Sequence, residues 1–237
     1  MSKNLKNFKL PPHPKNISLI GKTVNLFPLN SDKHYIDLYS SQLIDKEGSN
    51  WEYLPYGPFK TKITYLEWLK KIENKYDPVF FVVIRKSDNK AVGLTSFMRI
   101  NIEYGVIEVG HINFSPLIQK TLESTETMFL MMNWVFENGF RRYEWKCNSE
   151  NIRSRKAAQR LGFSYEGVFR QMSISKGKNR NTAWFAAIDK EWGDLRKAYK
   201  VYFDKNNFHN GTQIKSLSSL TKKILYKKDN LEFTNKN

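Results

Sequence analysis

Asn151-Ile-Arg-Ser-Arg-Lys-Ala-Ala-Gln-Arg-Leu-Gly-Phe-Ser-Tyr-Glu-Gly167 is the stretch from which this chain is best read. Asn151 stands where a helix N-cap is expected, since its side-chain oxygen can accept from a first-turn N–H. Ser154, Ala157, Ala158 and Leu161 recur at i, i+3, i+4 and i+7 and so share one helix face. Arg153, Lys156 and Arg160 lie on another and bring cations to whatever the helix borders. The spacing predicts a short helix over 152–161 that stops at Gly162.

Outward from there, a strand is expected at 142–147 before the helix, and strands at 164–175 and 182–188 after it. The last two are joined through residues 176–180, and a final helix runs over 190–203. Upstream, residues 124–138 carry Met128, Met131, Met132 and Val135 besides Phe129 and Trp134, which predicts a buried helix with methionine as core filler. Earlier still come a strand at 22–28, helices at 31–46 and 61–75, and strands at 78–85, 91–100 and 105–114. In the second of those helices Ile63, Leu66, Leu69 and Ile72 fall near one face. The order β-α-α-β-β-β-α-β-α-β-β-α mixes hairpins with crossovers and predicts one α+β domain on a mixed sheet.

With 237 residues, 40% hydrophobic and 26% charged, the composition excludes full disorder, collagen and low complexity. A single cysteine excludes an intramolecular disulfide and a four-cysteine zinc site, and no metal is expected. The longest apolar runs, such as 79–84, are short of a membrane span. The first sixteen residues hold lysines and prolines without a hydrophobic stretch, so a cytoplasmic protein is expected, with the nucleus also open. Thirty-nine Lys and Arg against twenty-three Asp and Glu give a net charge of +16. The charge divides the chain into a basic, proline-containing arm (1–21), a domain (22–203) and a basic tail (204–237). In the tail Ile214, Leu217, Leu220 and Ile224 suit a short amphipathic helix. Within the domain, residues 141–180 carry eleven Lys and Arg against Glu144, Glu150 and Glu166. Such a patch points to a polyanionic partner, either nucleic acid or a phosphorylated small molecule.

The Asn151–Gly167 stretch and the order of elements over about 22–203 resemble the GNAT superfamily of acetyl-CoA-dependent N-acetyltransferases. The closer resemblance is to the branch that holds the RimJ/RimL-type ribosomal-protein acetyltransferases. This implies a GNAT fold whose fourth and fifth strands splay into a V that holds the pantetheine of acetyl-CoA. By the same resemblance, backbone groups of Ile112, Asn113 and Phe114 pair with pantetheine, and Asn151 binds its arm. The backbone of Gln119, Lys120, Thr121, Leu122, Glu123, Ser124 and Thr125 cradles the pyrophosphate. The family loop reads Gln/Arg-x-x-Gly-x-Gly/Ala, and here the first glycine is replaced by Leu122 and the last small position is Ser124. Lys120, Arg153, Arg155 and Lys156 are expected to meet the phosphates.

Acetyl transfer needs a neutral amine, a stabilised thioester oxyanion and a proton for the leaving thiolate. Glu108 matches the carboxylate that relatives use as base; the alternative is a strand glutamate facing outward. His111 is a second candidate because histidine titrates near working pH, and a packed structural histidine is its alternative. The Phe114 N–H is assigned as oxyanion donor. Where many relatives place a general-acid tyrosine this chain has Ala158, and Ser154 is named in its stead, against a hydroxyl satisfied within its own helix. Cys147 reads as a buried, inert thiol. The resemblance also puts Trp51, Tyr53, Tyr56 and Phe59 on the acceptor wall, either as a cage for a cationic amine or as a hydrophobic clamp on a long loop. Asn179, Arg180 and Trp184 border the same side.

Three functions fit these features. The first is an acetyl-CoA-dependent N-acetyltransferase acting on a protein N-terminus, a lysine or a small-molecule amine, through a ternary complex. The second is an RNA- or ribosome-binding protein that uses the basic arm and tail. The third is a CoA-binding module without turnover.

Overall fold

The alternating residues of Val24–Pro28 form strand β2, after a two-residue strand β1 (Leu19–Ile20). The computed structural model describes residues 5–209 and 212–231; residues 1–4 of the basic arm, and 210–211 and 232–237 of the basic tail, lie outside the described residues. Helices α1 (Ser31–Gln42) and α2 (Lys62–Ile72) follow, then strands β3 (Val79–Arg85), β4 (Lys90–Asn101) and β5 (Val106–Phe114). Helix α3 (Leu122–Glu137) crosses to β6 (Arg142–Asn148), and α4 (Ile152–Arg160) to the hairpin β7 (Ser164–Ser175) and β8 (Lys178–Ile188). Helix α5 (Asp189–Phe203), a small ribbon of β9 (Phe208–His209) and β10 (Thr212–Gln213), and helix α6 (Leu217–Thr221) complete the described chain.

Eight strands make one sheet in the order β1-β2-β3-β4-β5-β6-β8-β7. Every neighbouring pair is antiparallel except β5 and β6, which run parallel because α3 carries the chain across. The sheet separates two cores. Strand β3 is buried on both faces, which is why it reads as a continuous apolar run. Phe80, Val82 and Ile84 pack with Leu38, Tyr65 and Leu69 of α1 and α2. Phe81 and Val83 pack on the other side with Met131, Met132 and Val135 of α3. The Glu126 carboxylate fixes α3 to the sheet edge by accepting from the backbone N–H groups of Lys22, Thr23 and Val24 at 2.7, 2.6 and 3.1 Å.

Some bounds differ from the sequence reading, for local reasons. Helix α1 stops at Gln42, and α3 starts at Leu122 because Thr121 is extended and acts as its N-cap residue. Strand β8 begins at Lys178, since Lys176 (φ 48°) and Gly177 (φ 74°) close a tight two-residue turn. Both central residues having positive φ matches the twist of a hairpin. Gly162 (φ 96°) ends α4 as read from the sequence, and a Cβ there would meet Leu195 at 2.3 Å.

The tail folds back on α4. Helix α6 packs against α4 and α5, with the Thr221 hydroxyl donating to the Arg160 carbonyl at 3.2 Å. Farther along, Asp229 meets Arg155 in a fully buried two-pronged pair, at 2.7 Å to Nε and 2.6 Å to Nη2. Arg155 Nη1 donates to the Ser149 carbonyl at 2.8 Å. Arg155 is therefore not a phosphate contact: a residue of the tail neutralises it, 74 positions away.

Candidate active site

The ladder between β4 and β5 is regular from Met98↔Glu108 to Ser96↔Gly110, and resumes at Leu94↔Asn113. His111 and Ile112 thus stand opposite Thr95 alone, one residue too many. His111 absorbs the excess at φ 51°, a left-handed conformation uncommon for a residue with a Cβ. The parallel ladder between β5 and β6 ends at Val109↔Trp145, just before this bulge. Beyond it the two strands part, and Gly110–Phe114 presents backbone that β6 does not pair. The expected splay of the fourth and fifth strands is this gap, β1 being the extra strand at the edge.

The gap opens into a cleft of about 1280 Å³. On one side stand the loop before α3 and helix α4. The first backbone bond inside α3 runs from Thr125 N–H to the Thr121 carbonyl, so the N–H groups of Leu122, Glu123 and Ser124 lie ahead of it at the positive end of the helix dipole. Lys120 and Ser124 line the cleft together with Arg153, Ser154 and Lys156. Lys120, Arg153 and Lys156 form no ion pair among the described residues, and Arg160 is occupied otherwise, donating to the Thr125 and Tyr202 hydroxyls at 2.8 and 3.2 Å. Leu122 is the first residue of α3. The positive φ of this loop falls on Lys120, at 60°, so Leu122 occupies a position with no backbone need for glycine. Gln119 spends its amide on Asn50 Oδ1 (2.6 Å) and the Phe114 carbonyl (2.9 Å), and so ties the loop to β5. Thr121, Leu122, Glu123 and Thr125 are not among the cleft-lining residues.

Asn151 caps α4 by accepting from the Ser154 N–H at 3.0 Å. The Ser154 hydroxyl is satisfied across the cleft floor rather than within its helix, by the Trp145 indole N–H at 3.0 Å. Cys147 lies beside it, its thiol pushed up to about 11 by burial, so it is a poor nucleophile at neutral pH.

The opposite face of the sheet carries the charged groups. Glu108 is 3% exposed, and both its oxygens meet cations: Arg99 Nη1 at 2.7 Å and Lys146 Nζ at 2.8 Å. Burial pushes its carboxyl up, while Lys146 and Arg99 pull it down. Lys146 also binds Glu144 at 2.7 Å and lies 3.8 Å over the Trp184 ring. Glu108 is thus neither an outward-facing strand residue nor an unpartnered base. His111 Nδ1 is 2.8 Å from the Tyr56 hydroxyl, and its imidazole is pushed down to about 4, chiefly by burial. It is neutral at pH 7 and borders the cleft.

The four aromatic residues expected on the acceptor wall separate. Tyr53 lines the cleft, and Tyr56 reaches it through His111. Trp51 instead packs edge-on with Phe59, Tyr65 and Trp68, and Phe59 lies tilted against Trp68, beneath the loop and away from the cleft. The alternative role, a clamp that orders the loop, describes these two. Sequence reasoning missed the strap across the top: Lys176, at the tip of the β7–β8 hairpin, donates to the Trp51 carbonyl at 2.8 Å. It also missed Asn50, Arg99 and Lys146, whose roles depend on register across three strands. Asn113, Ser115, Arg180 and Trp184 hold buried polar atoms without a partner among the described residues. The open β5 edge, the three first-turn N–H groups and the free cations suit a long phosphorylated thioester lying through the gap.

Comparison with known proteins agrees with this geometry. Residues 24–164 match the family model of the acetyltransferase (GNAT) domain. A GCN5-related N-acetyltransferase from Brucella melitensis is 40% identical and superposes with a TM-score of 0.89, over 92% of this chain and 100% of that one. A probable GNAT-family acetyltransferase from Chromobacterium violaceum ATCC 12472 is 35% identical, with a TM-score of 0.76 over 81% and 96% of the two chains. The branch expected from sequence is represented more distantly. An acetyltransferase from Salmonella typhimurium that modifies the N-terminal serine of a 50S ribosomal subunit protein is 16% identical, with a TM-score of 0.61 over 73% and 99%, a likeness of fold alone. No curated protein matches the sequence. No helix among the described residues is long and apolar enough to cross a membrane. With the splayed sheet, the family model and a 40% identical relative in agreement, this chain belongs to the GNAT family of N-acetyltransferases.

Proposed function

We propose that the chain transfers an acetyl group from acetyl-CoA directly to a primary amine, both substrates being held in the cleft at once. The observation that carries this reading is the gap between β5 and β6, bordered by Ser154 and Cys147 on one face and by Glu108 and His111 on the other. Acetyl-CoA supplies the activated acyl group. The β5 edge from Ile112 to Phe114 pairs with its amide arm, with Asn151 at the start of α4. The first turn of α3, with Lys120, Arg153 and Lys156, meets its phosphates.

In the transfer a C–N bond forms as the C–S bond breaks; the amine gives up a proton, and the leaving sulfur receives one. On this reading His111 takes the amine's proton. It is neutral at pH 7, and Tyr56 fixes its ring through Nδ1. Glu108 holds Arg99 and Lys146 in place rather than acting as an unpartnered base. Ser154, oriented by Trp145, donates toward the sulfur, and the Phe114 N–H faces the thioester oxygen. Cys147 takes no part. The protein is expected to act in the cytoplasm.

Thermal unfolding with and without acetyl-CoA tests the first requirement. Ligand at about 100 times its dissociation constant adds about 2.7 kcal/mol. At roughly 2–4 °C per kcal/mol for a chain of this size, that is a rise of about 5–11 °C. A response to RNA with none to saturating acetyl-CoA would overturn the proposal in favour of nucleic-acid binding by the basic surface. A response to acetyl-CoA without acetylation of any amine would leave a binding module.

A further inference from the structure

Strand β8 presents Arg180, Thr182 and Trp184 at alternate positions, and hence on one face, which borders the cleft opposite α4. This half of the sheet face is not covered by α1 or α2. Arg180 is half-buried, yet its guanidinium forms no hydrogen bond or ion pair with any described residue, and its Nε is buried without an acceptor. The Trp184 indole N–H is buried without an acceptor as well. Both are donors only. The neighbouring charges do not supply what Arg180 lacks. Glu108 is committed to Arg99 and Lys146, and Glu144 to Lys146 and Arg142. The other acids lining the cleft, Glu52 and Glu150, are exposed side chains, where solvent screens them. Burial is the main cause that pulls the Arg180 guanidinium below its usual range, and Arg99 adds to it, while Cys147 and Glu108 offset only part. Half-buried guanidinium without a carboxylate is costly unless something else supplies the anion.

We infer that Arg180 and Trp184 form a carboxylate subsite and that the acceptor is a primary amine bearing a carboxylate. A planar carboxylate matches the fork of a guanidinium, with the indole N–H as a further donor. A free amino acid and a peptide with an acidic residue at its start offer the same chemistry. Polycationic amines would meet the Arg180 guanidinium with no carboxylate to offer it. This inference rests on the acetyl-transfer reading and names the substrate class for the same cleft.

The test measures CoA release from the wild-type protein with matched acceptors: amino acids, their amides, the corresponding decarboxylated amines, acidic and neutral tripeptides, and a polyamine. Carboxylate-bearing amines should exceed their amides by at least tenfold in kcat/KM. Preference for free amino acids or for acidic tripeptides would separate the two sources. In Arg180→Gln the KM of those acceptors should rise at least thirtyfold, by more than kcat falls, Arg180→Lys should recover part of it, and the thermal response to acetyl-CoA should persist. The last readout reports folding and cofactor binding apart from the subsite. If acetyl-CoA gives no thermal response in the wild type, the transfer reading fails, and this inference with it. If it does respond, but amides or polyamines serve as well as carboxylates or no carboxylate-bearing amine is acetylated, the inference alone is overturned. The wild-type series decides the question even if Arg180→Gln does not fold.

Discussion

Removing the Asp229 carboxylate should destabilise the whole domain, although it lies in a tail that composition alone would class as solvated. Both side chains of the Arg155–Asp229 pair are fully buried, and Asp229 accepts from Nε and Nη2 of the guanidinium. In Asp229→Ala only the Ser149 carbonyl would remain as a partner of Arg155. Leaving one member of a buried pair uncompensated costs about 3–5 kcal/mol. At about 2–4 °C per kcal/mol the Tm should fall by roughly 6–20 °C. Urea unfolding at fixed pH gives the free energy, and a calorimetric scan gives the Tm. The double variant Arg155→Met, Asp229→Leu should recover most of the loss, because two apolar groups of similar size leave no charge stranded. A loss below about 1 kcal/mol in the single variant, or a double variant no better than the single, would refute the reasoning. Because α4 carries Asn151 and Ser154, Asp229→Ala should also raise the KM for acetyl-CoA.

Three further outcomes are expected. Glu126→Gln replaces a carboxylate that accepts three backbone N–H groups with an amide whose NH₂ cannot accept, so it should cost about 1–3 kcal/mol in urea unfolding; no change would mean that β2 is not held by α3. His111, lowered to about 4 in the fold from the ordinary 6.5, binds its proton more readily when unfolded, so stability is full above pH 6.5 and declines as pH falls toward 4. With the ring partly open to the cleft, its share is about 2 kcal/mol, below the limit of about 3 set by the shift. His111→Asn, which tolerates positive φ, should flatten that part of the stability curve, leaving the shares of His13 and His34; an unchanged curve would refute it. Cys147→Ala should keep kcat within about threefold, since the thiol, raised to about 11, is protonated at neutral pH, and a loss above a hundredfold would refute direct transfer.

Elements set by local periodicity were legible in the sequence, and so was the strand–helix order that placed the cleft. The α4 face of Ser154, Ala157, Ala158 and Leu161 and the apolar run of β3 needed no knowledge of their neighbours. The site was legible as far as residues within one motif: Ser154, Arg153 and Lys156 do border the cleft. What escaped is long-range. Arg155 differs from Arg153 and Lys156 only by pointing inward, and nothing near it in sequence announces Asp229. Trp51, Tyr53, Tyr56 and Phe59 fall within nine residues, yet a loop has no period to say which rings face the cleft. Glu108 was visible as a strand carboxylate, but its commitment to Arg99 and Lys146 follows from register across β4, β5 and β6.

The same register bears on how an amine becomes nucleophilic in this cleft. A primary amine with a pKa near 10 is mostly protonated at neutral pH, and a histidine lowered to about 4 is too weak a base to reverse that alone. The surroundings of the amine, however, set its own pKa. Arg180, which no carboxylate of the described residues pairs, faces the acceptor side, and an ammonium held near it and out of water loses its proton more easily. A carboxylate on the acceptor would oppose this by stabilising its own ammonium, unless another cation neutralises it. Anchoring that carboxylate on Arg180 would remove the counter-charge from the amine while binding the substrate. Proton removal would then be shared between a groove that lowers the amine's pKa, by burial and by Arg180, and a neutral imidazole that only relays the proton. This division predicts that the acidic limb of the kcat/KM profile follows the pKa of the acceptor amine rather than that of His111. Acceptors of graded amine basicity would show it: a limb that stays fixed as the amine pKa changes would assign the proton transfer to a protein group instead.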